Sequence, residues 1–234
     1  MAKNPKIHFR KTYAFVGDGE TELWYLQMLK KNESSLTVTI KPELPQKKNI
    51  DDQFQYVVEL SKIHDKVFWI VDTDVIIRET KQFKGPKDKS PAAILKQKYL
   101  QIQTNEILRA TVVFIANTPC LEYWILLHVI QTTRYYDTCE KVIGEIKKHD
   151  PLREYAKSQK YYQQSNDIYK RLKPYLSTAK VNAEKTGVFD PDNLEKGISQ
   201  RADNQGFQNQ ESADGTRPQS SRTTWYVFRS VPVQ

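Results

Sequence analysis

Three groups of carboxylates stand where the chemistry of this chain should be sought: Asp18-Gly19-Glu20-Thr21-Glu22, then Asp72-Thr73-Asp74, then Glu122 within Asn117-Thr118-Pro119-Cys120-Leu121-Glu122. Each follows an apolar, strand-like run, so an α/β fold would bring all three to one edge of a sheet, where such folds bind ligands. Clustered carboxylates repel one another unless a cation sits among them. A hard divalent ion, Mg²⁺ or Mn²⁺, suits oxygen donors of this kind, and no His or Cys set competes for a softer one.

The spacing within each group sharpens that expectation. Asp18 ends a strand, Gly19 permits a tight turn, and Glu22 lies four residues on in the first helical turn, so Asp18 and Glu22 can converge on one ion. Glu20 should face solvent. If Asp72 and Asp74 alternate along an extended chain, Asp72 bridges to that ion while Asp74 reaches a second. Glu122 opens an apolar helix, and His128 lies six residues along it. A buried histidine there is a packing residue or a hydrogen-bond partner for phosphate or a carboxylate.

The elements that must position these residues alternate. Strands are predicted at Lys11 to Gly17, Leu36 to Ile40, Val67 to Val71 and Thr111 to Ala116, and helices at Thr21 to Lys31, from Asp51 or Asp52 to Leu60, at Ala92 to Leu108 and at Leu121 to Ile130. The basic, Pro-containing stretch from Arg78 to Pro91 reads as a loop. Alternation of this kind implies an α/β fold with a mostly parallel sheet flanked by helices. Residues 1–132 form the expected catalytic core. Residues 133–234 form a helical extension containing a polar loop at about 197–222, after which Thr223 to Val231 turns apolar and should dock back. Seven tyrosines between Tyr135 and Tyr175 alternate with lysines and arginines there, a pattern that fits either helix packing or base stacking.

With 36 Lys+Arg against 28 Asp+Glu, the formal charge is +8 around an acidic candidate site. That combination suits an enzyme acting on a polyanion, DNA or RNA, tRNA included. No apolar stretch reaches the length of a membrane span and residues 1–8 carry no signal-peptide pattern, so a cytoplasmic protein with no membrane partner is expected. Cys120 and Cys139 are then expected as reduced thiols.

At these residues the chain resembles a family. Asp18 to Glu22 followed by Asp72-Thr73-Asp74 looks like the Toprim motifs, in the short form seen in OLD-type nucleases. The segment Asn117-Thr118-Pro119-Cys120-Leu121-Glu122-Tyr123-Trp124-Ile125-Leu126-Leu127-His128 resembles the S-N-P-C-F-E-L-W-L-L-L-H segment of RloB-like proteins. That resemblance implies a Toprim fold, a nuclease of phage-defence loci, and an ATPase partner of the AAA or ABC type, with a homo-oligomer left open. Carried over by position, it makes Asp18, Glu22, Asp72, Asp74 and Glu122 metal ligands, with His128 beside them. Asp18 falls where Toprim proteins usually carry Glu, a side chain longer by one methylene.

The expected activity is metal-assisted phosphodiester hydrolysis, in which a cation must also neutralise the phosphate. Lys160, Lys180 and the Lys81 to Lys98 cluster are the candidates. The alternative is a catalytically weak nucleic-acid-binding or regulatory subunit of a defence complex.

Overall fold

The computed structural model describes residues 12–17, 19–33, 38–40, 49–186 and 189–194. Four strands, β1 (Tyr13–Val16), β2 (Val38–Ile40), β3 (Lys66–Asp72) and β4 (Val112–Asn117), form one sheet in the order β2-β1-β3-β4. All three pairings are parallel, with Phe15 opposite Phe68 and Asp72 opposite Asn117. The β3 sequence Lys66-Val67-Phe68-Trp69-Ile70-Val71-Asp72 is apolar without alternation because helices cover both of its faces.

Strand periodicity divides that run between two cores. Phe68 and Ile70 join Phe15, Ile115, Tyr25 and Trp124 on one face, while Val67, Trp69 and Val71 join Phe54, Leu95, Tyr99 and Phe114 on the other. Asp72 therefore ends the strand in step with Phe68 and Ile70. Phe189 seals the second core, its ring 5.0 Å from Phe114 and 5.2 Å from Tyr99.

Three of the connecting helices begin at a side chain that accepts from a free backbone N–H. Helix α1 (Glu20–Asn32) starts at Gly19 with Glu20 and Glu22 in its first turn and Lys30 and Lys31 in its last, charges that complement its dipole. Helix α2 (Ile50–Leu60) is capped by Asn49, whose carbonyl oxygen accepts from the Asp52 amide at 2.9 Å. The cap falls two residues earlier than Asp51, and Gln53, on the inner face, accepts from the Trp69 indole at 3.1 Å. Helix α3 (Thr73–Gln82) occupies residues read partly as loop: Asp72 stands at its cap and Ile76 anchors it. Ser90 and Pro91 start α4 (Pro91–Thr104), and Asn105 ends it. Asn105 is extended, and its side chain accepts from the Leu108 amide to start α5 (Glu106–Thr111), so one expected helix becomes two.

After β4 come α6 (Glu122–Leu127), α7 (Cys139–Ile146), α8 (Gln159–Gln163), α9 (Ile168–Leu172) and α10 (Leu176–Glu184). They are shorter than the continuous helices expected for 135–186, and they pack on the α1 face of the sheet. The buried Asn182 amide donates to the Leu127 carbonyl at 2.8 Å, tying α10 to α6. Base stacking is excluded for Tyr136, Tyr155, Tyr161, Tyr162 and Tyr169: all five are buried, with Tyr162 edge-on to Trp24 and Tyr169 edge-on to Tyr25. Among the described residues no helix is long and apolar enough to cross a membrane. The polar loop at 197–222 and the segment Thr223 to Val231 lie outside the described residues.

Candidate active site

The carboxyl ends of β1, β3 and β4 open onto one place, and the chain folds locally so that acids stand there. Glu22, in the first turn of α1, is buried, and its carboxylate fills the space beside Gly19 where any β-carbon would collide with it. A side chain at Gly19 would have to displace that carboxylate. Glu20 points to solvent, as its place in the turn predicts. Asp18 lies outside the described residues.

Asp72 and Asp74 do not alternate along an extended strand. The chain turns helical at Thr73, placing Asp72 at the last strand residue and Asp74 in the first turn of α3. The turn is stitched to its neighbour: the Thr73 hydroxyl lies 3.1 Å from the Asn117 carbonyl and 3.0 Å from the Thr118 hydroxyl, and Asn117 donates to Asp72 Oδ1 at 3.0 Å. These contacts hold the β3 and β4 ends in register just before the cis Thr118–Pro119 bond. Burial raises the Asp74 carboxyl above the ordinary aspartate range, against the opposing pull of the Val75 N–H, Arg78 and Lys157. Its Oδ1 is buried without a hydrogen-bond partner.

Glu122, the first residue of α6, is fully buried and closely held. The Tyr155 hydroxyl donates to Oε1 at 3.0 Å, the Lys157 ammonium lies 3.3 Å from Oε1 and 3.4 Å from Oε2, and Cys139 Sγ lies 3.0 Å from Oε2. Tyr155 and Lys157 are two apart in a segment without helix, a spacing that in extended chain turns both side chains one way. Lys157 is the cation that stands among these acids. Burial alone would lower its ammonium, but Glu122, Glu22 and Asp72 outweigh that, and it stays protonated beyond the usual lysine range. Its side chain is 43% exposed, so the charge remains within reach of a ligand.

Of the lysines singled out by sequence, Lys96 is paired with Asp192, and Lys98 with Asp51 on α2 at 2.7 Å. Lys160 is exposed on α8 and Lys180 half-buried on α10, and no contact ties either to the acids. His128 also stands apart, in the core. Its Nδ1 lies 3.0 Å from the Trp124 carbonyl, its ring meets the Trp124 indole edge-on at 4.6 Å, and Nε2 has no partner. Burial lowers its pKa to about 4, so the ring is neutral at physiological pH.

Two expectations about the sulfurs fail. The 128–138 segment returns the chain so that Cys139, opening α7, meets Cys120, and the two are joined as a disulfide. Redox statistics by compartment do not register that proximity. Nor are soft donors absent: Cys120, Glu122 and Cys139 are, among the described residues, the one trio whose ligand atoms all lie within 4.8 Å of one another. Glu22, Asp72 and Asp74 do not bring three oxygens within that distance of one another, against the expectation that the acids converge; what links them is the Lys157 charge, which each feels. Their oxygen donors still fit Mg²⁺ or Mn²⁺, which are commonly held by one or two carboxylates with water completing the shell.

A parallel α/β protein with an acidic, lysine-bearing site at the carboxyl ends of its strands is the class these features define. Residues 13–200 match the family model described as RloB-like protein, and the chain belongs to that family. No curated protein and no solved structure gives a significant match.

Proposed function

We propose that this chain is a metal-dependent nuclease that hydrolyses phosphodiester bonds at the strand-end site. The observation that carries the reading is Lys157, an accessible ammonium held among Glu122, Glu22 and Asp72. A phosphodiester brings negative charge, and more develops as the phosphorus is attacked, so a fixed cation beside the reacting group lowers the barrier. Glu122, itself held by the Tyr155 hydroxyl, keeps that cation in place. Glu122 serves as the lysine's anchor, and Glu22, Asp72 and Asp74, with Asp18, are the carboxylates that would hold Mg²⁺ or Mn²⁺. The bound ion supplies an activated water and charge stabilisation at the leaving oxygen. Asn117 fixes the Asp72 carboxylate through its Oδ1.

The +8 charge of the whole chain supports a polyanionic substrate, DNA or RNA. Family membership supports a role in phage defence beside an AAA or ABC ATPase. A second reading, a regulatory or nucleic-acid-binding subunit with little activity, draws support from the same lysine, because an ammonium among the acids competes with a metal for them.

Incubating the purified chain with end-labelled DNA, RNA and tRNA, with Mn²⁺ or with EDTA, separates the two. The nuclease reading expects fragments only with the ion. Binding without cleavage of any substrate, with and without the co-expressed ATPase, would establish the second reading instead.

A further inference from the structure

Beside the oxygen-rich cluster sits a group of different chemistry. Cys120 ends the loop after β4, Glu122 follows it by two residues, and Cys139 opens α7; all three are buried. We propose that Cys120, Cys139 and Glu122 form a redox-gated site for a thiophilic divalent ion such as Zn²⁺, the disulfide being its oxidised, metal-free state.

The donor set carries the assignment. Two sulfurs and a carboxylate oxygen, mutually within 4.8 Å, need only the S–S bond to open for the sulfurs to separate around a tetrahedral ion, to which sulfur binds at about 2.3 Å. Thiolates select such an ion over Mg²⁺. Three protein ligands leave a fourth position for water, as in zinc sites that do chemistry.

Charge gives the second, independent observation. Zn²⁺ with two thiolates and one carboxylate sums to −1, and the Lys157 ammonium lies 3.7 Å from Cys139 Sγ and 3.4 Å from Glu122 Oε2, where it cancels that charge. Cys139 also stands at the positive end of α7, which favours its thiolate. Lys157 is thus placed to offset the charge that reduction and ion binding would add. The steps balance: a dithiol reductant transfers two electrons and two protons to the disulfide and becomes a disulfide itself, and ion binding then releases two protons from the thiols.

The test uses the full chain, reduced with excess dithiol, desalted without oxygen and titrated with Co²⁺. The expected result is two free thiols, then a thiolate-to-cobalt charge-transfer band and tetrahedral d–d absorption saturating at one ion per chain and displaced by Zn²⁺. Cys120→Ser and Cys139→Ser should each abolish the charge-transfer intensity at that stoichiometry, and Glu122→Gln should weaken binding at least ~10-fold. The air-oxidised parent, identical in sequence, should show no band, which keeps the test valid if a serine variant misfolds. Asp72→Ala should bind Co²⁺ like the parent, so loss of nuclease activity and loss of this site are read separately. Two free thiols with no charge-transfer band, or a disulfide that resists reduction in the folded chain, would overturn the proposal.

Discussion

Helix α1 has a cluster of buried acid, lysine and tyrosine at each end, about 20 Å apart by its length. At its carboxyl end the Tyr169 hydroxyl donates to Glu33 at 2.9 Å and Lys173 pairs with it at 2.6 Å, while Asp167 accepts from Asn32 and caps α9. Burial works to raise the Glu33 carboxyl, yet Lys173 and Tyr169 outweigh it and hold Glu33 below the ordinary glutamate range. At the amino-terminal end the same residue types meet, but one lysine answers three acids, Glu122, Glu22 and Asp72. The first cluster closes its charge and fastens α9 to α1. The second leaves negative charge in excess at the edge of a parallel sheet, and the proposed function rests on that difference.

The contrast breaks first on activity. Lys157→Ala should reduce Mn²⁺-dependent cleavage by about 10²–10³-fold with circular dichroism unchanged, the range for removing one fixed transition-state donor. Lys173→Ala, its counterpart at the other end of α1, should cleave at the parental rate. Equal losses in both variants would mean that the clusters do not differ in kind.

His128 sharpens the comparison as a buried base in the core beside Trp124. With a folded pKa of about 4 against an ordinary 6.5, the unfolded chain binds the proton first as pH falls. Stability is therefore complete above pH 6.5 and declines toward pH 4, by roughly 3 kcal/mol for this group. Chemical denaturation across that range should show His128→Gln losing less stability on acidification than the parent. Parallel slopes would place the acid sensitivity elsewhere. The smallest effect belongs to the clamp: Tyr169→Phe removes one donor from Glu33 and should cost about 1 kcal/mol, with cleavage unaltered.

How far these regions were legible follows from the range of their contacts. Strands β1, β3 and β4, with the acids at their ends, are local patterns: apolar runs stopped by Gly17, Asp72 and Asn117. Helix α3 was hidden because Arg78, Glu79 and Lys81 make its outer surface look like a basic loop, while Ile76 alone is its deeply buried apolar anchor. The break at Asn105 depends on a side chain capping the next helix, which a period-3.6 pattern does not detect. Lys157 had no local signal. It lies 35 residues from Glu122, outside any helix, and only the folding of the tyrosine-rich segment onto α6 makes them neighbours. The Cys120–Cys139 bond has the same origin, a loop residue before α6 and the first residue of α7, 19 residues apart, brought together by a returning loop. The tyrosines were visible as a pattern that fitted two uses, and burial decided between them for five of the seven.

The central claim is that the strand-end acids and Lys157 cleave phosphodiesters, and Asp72→Asn tests it most directly. Asparagine keeps the size of the side chain and an oxygen for the Asn117 amide, so the β3–β4 register survives while the charge is lost. In a Mn²⁺-dependent assay with labelled DNA and RNA, the account predicts cleavage lowered at least ~10³-fold, with a melting temperature close to that of the parent. Cleavage at the parental rate by a folded Asp72→Asn protein would contradict it.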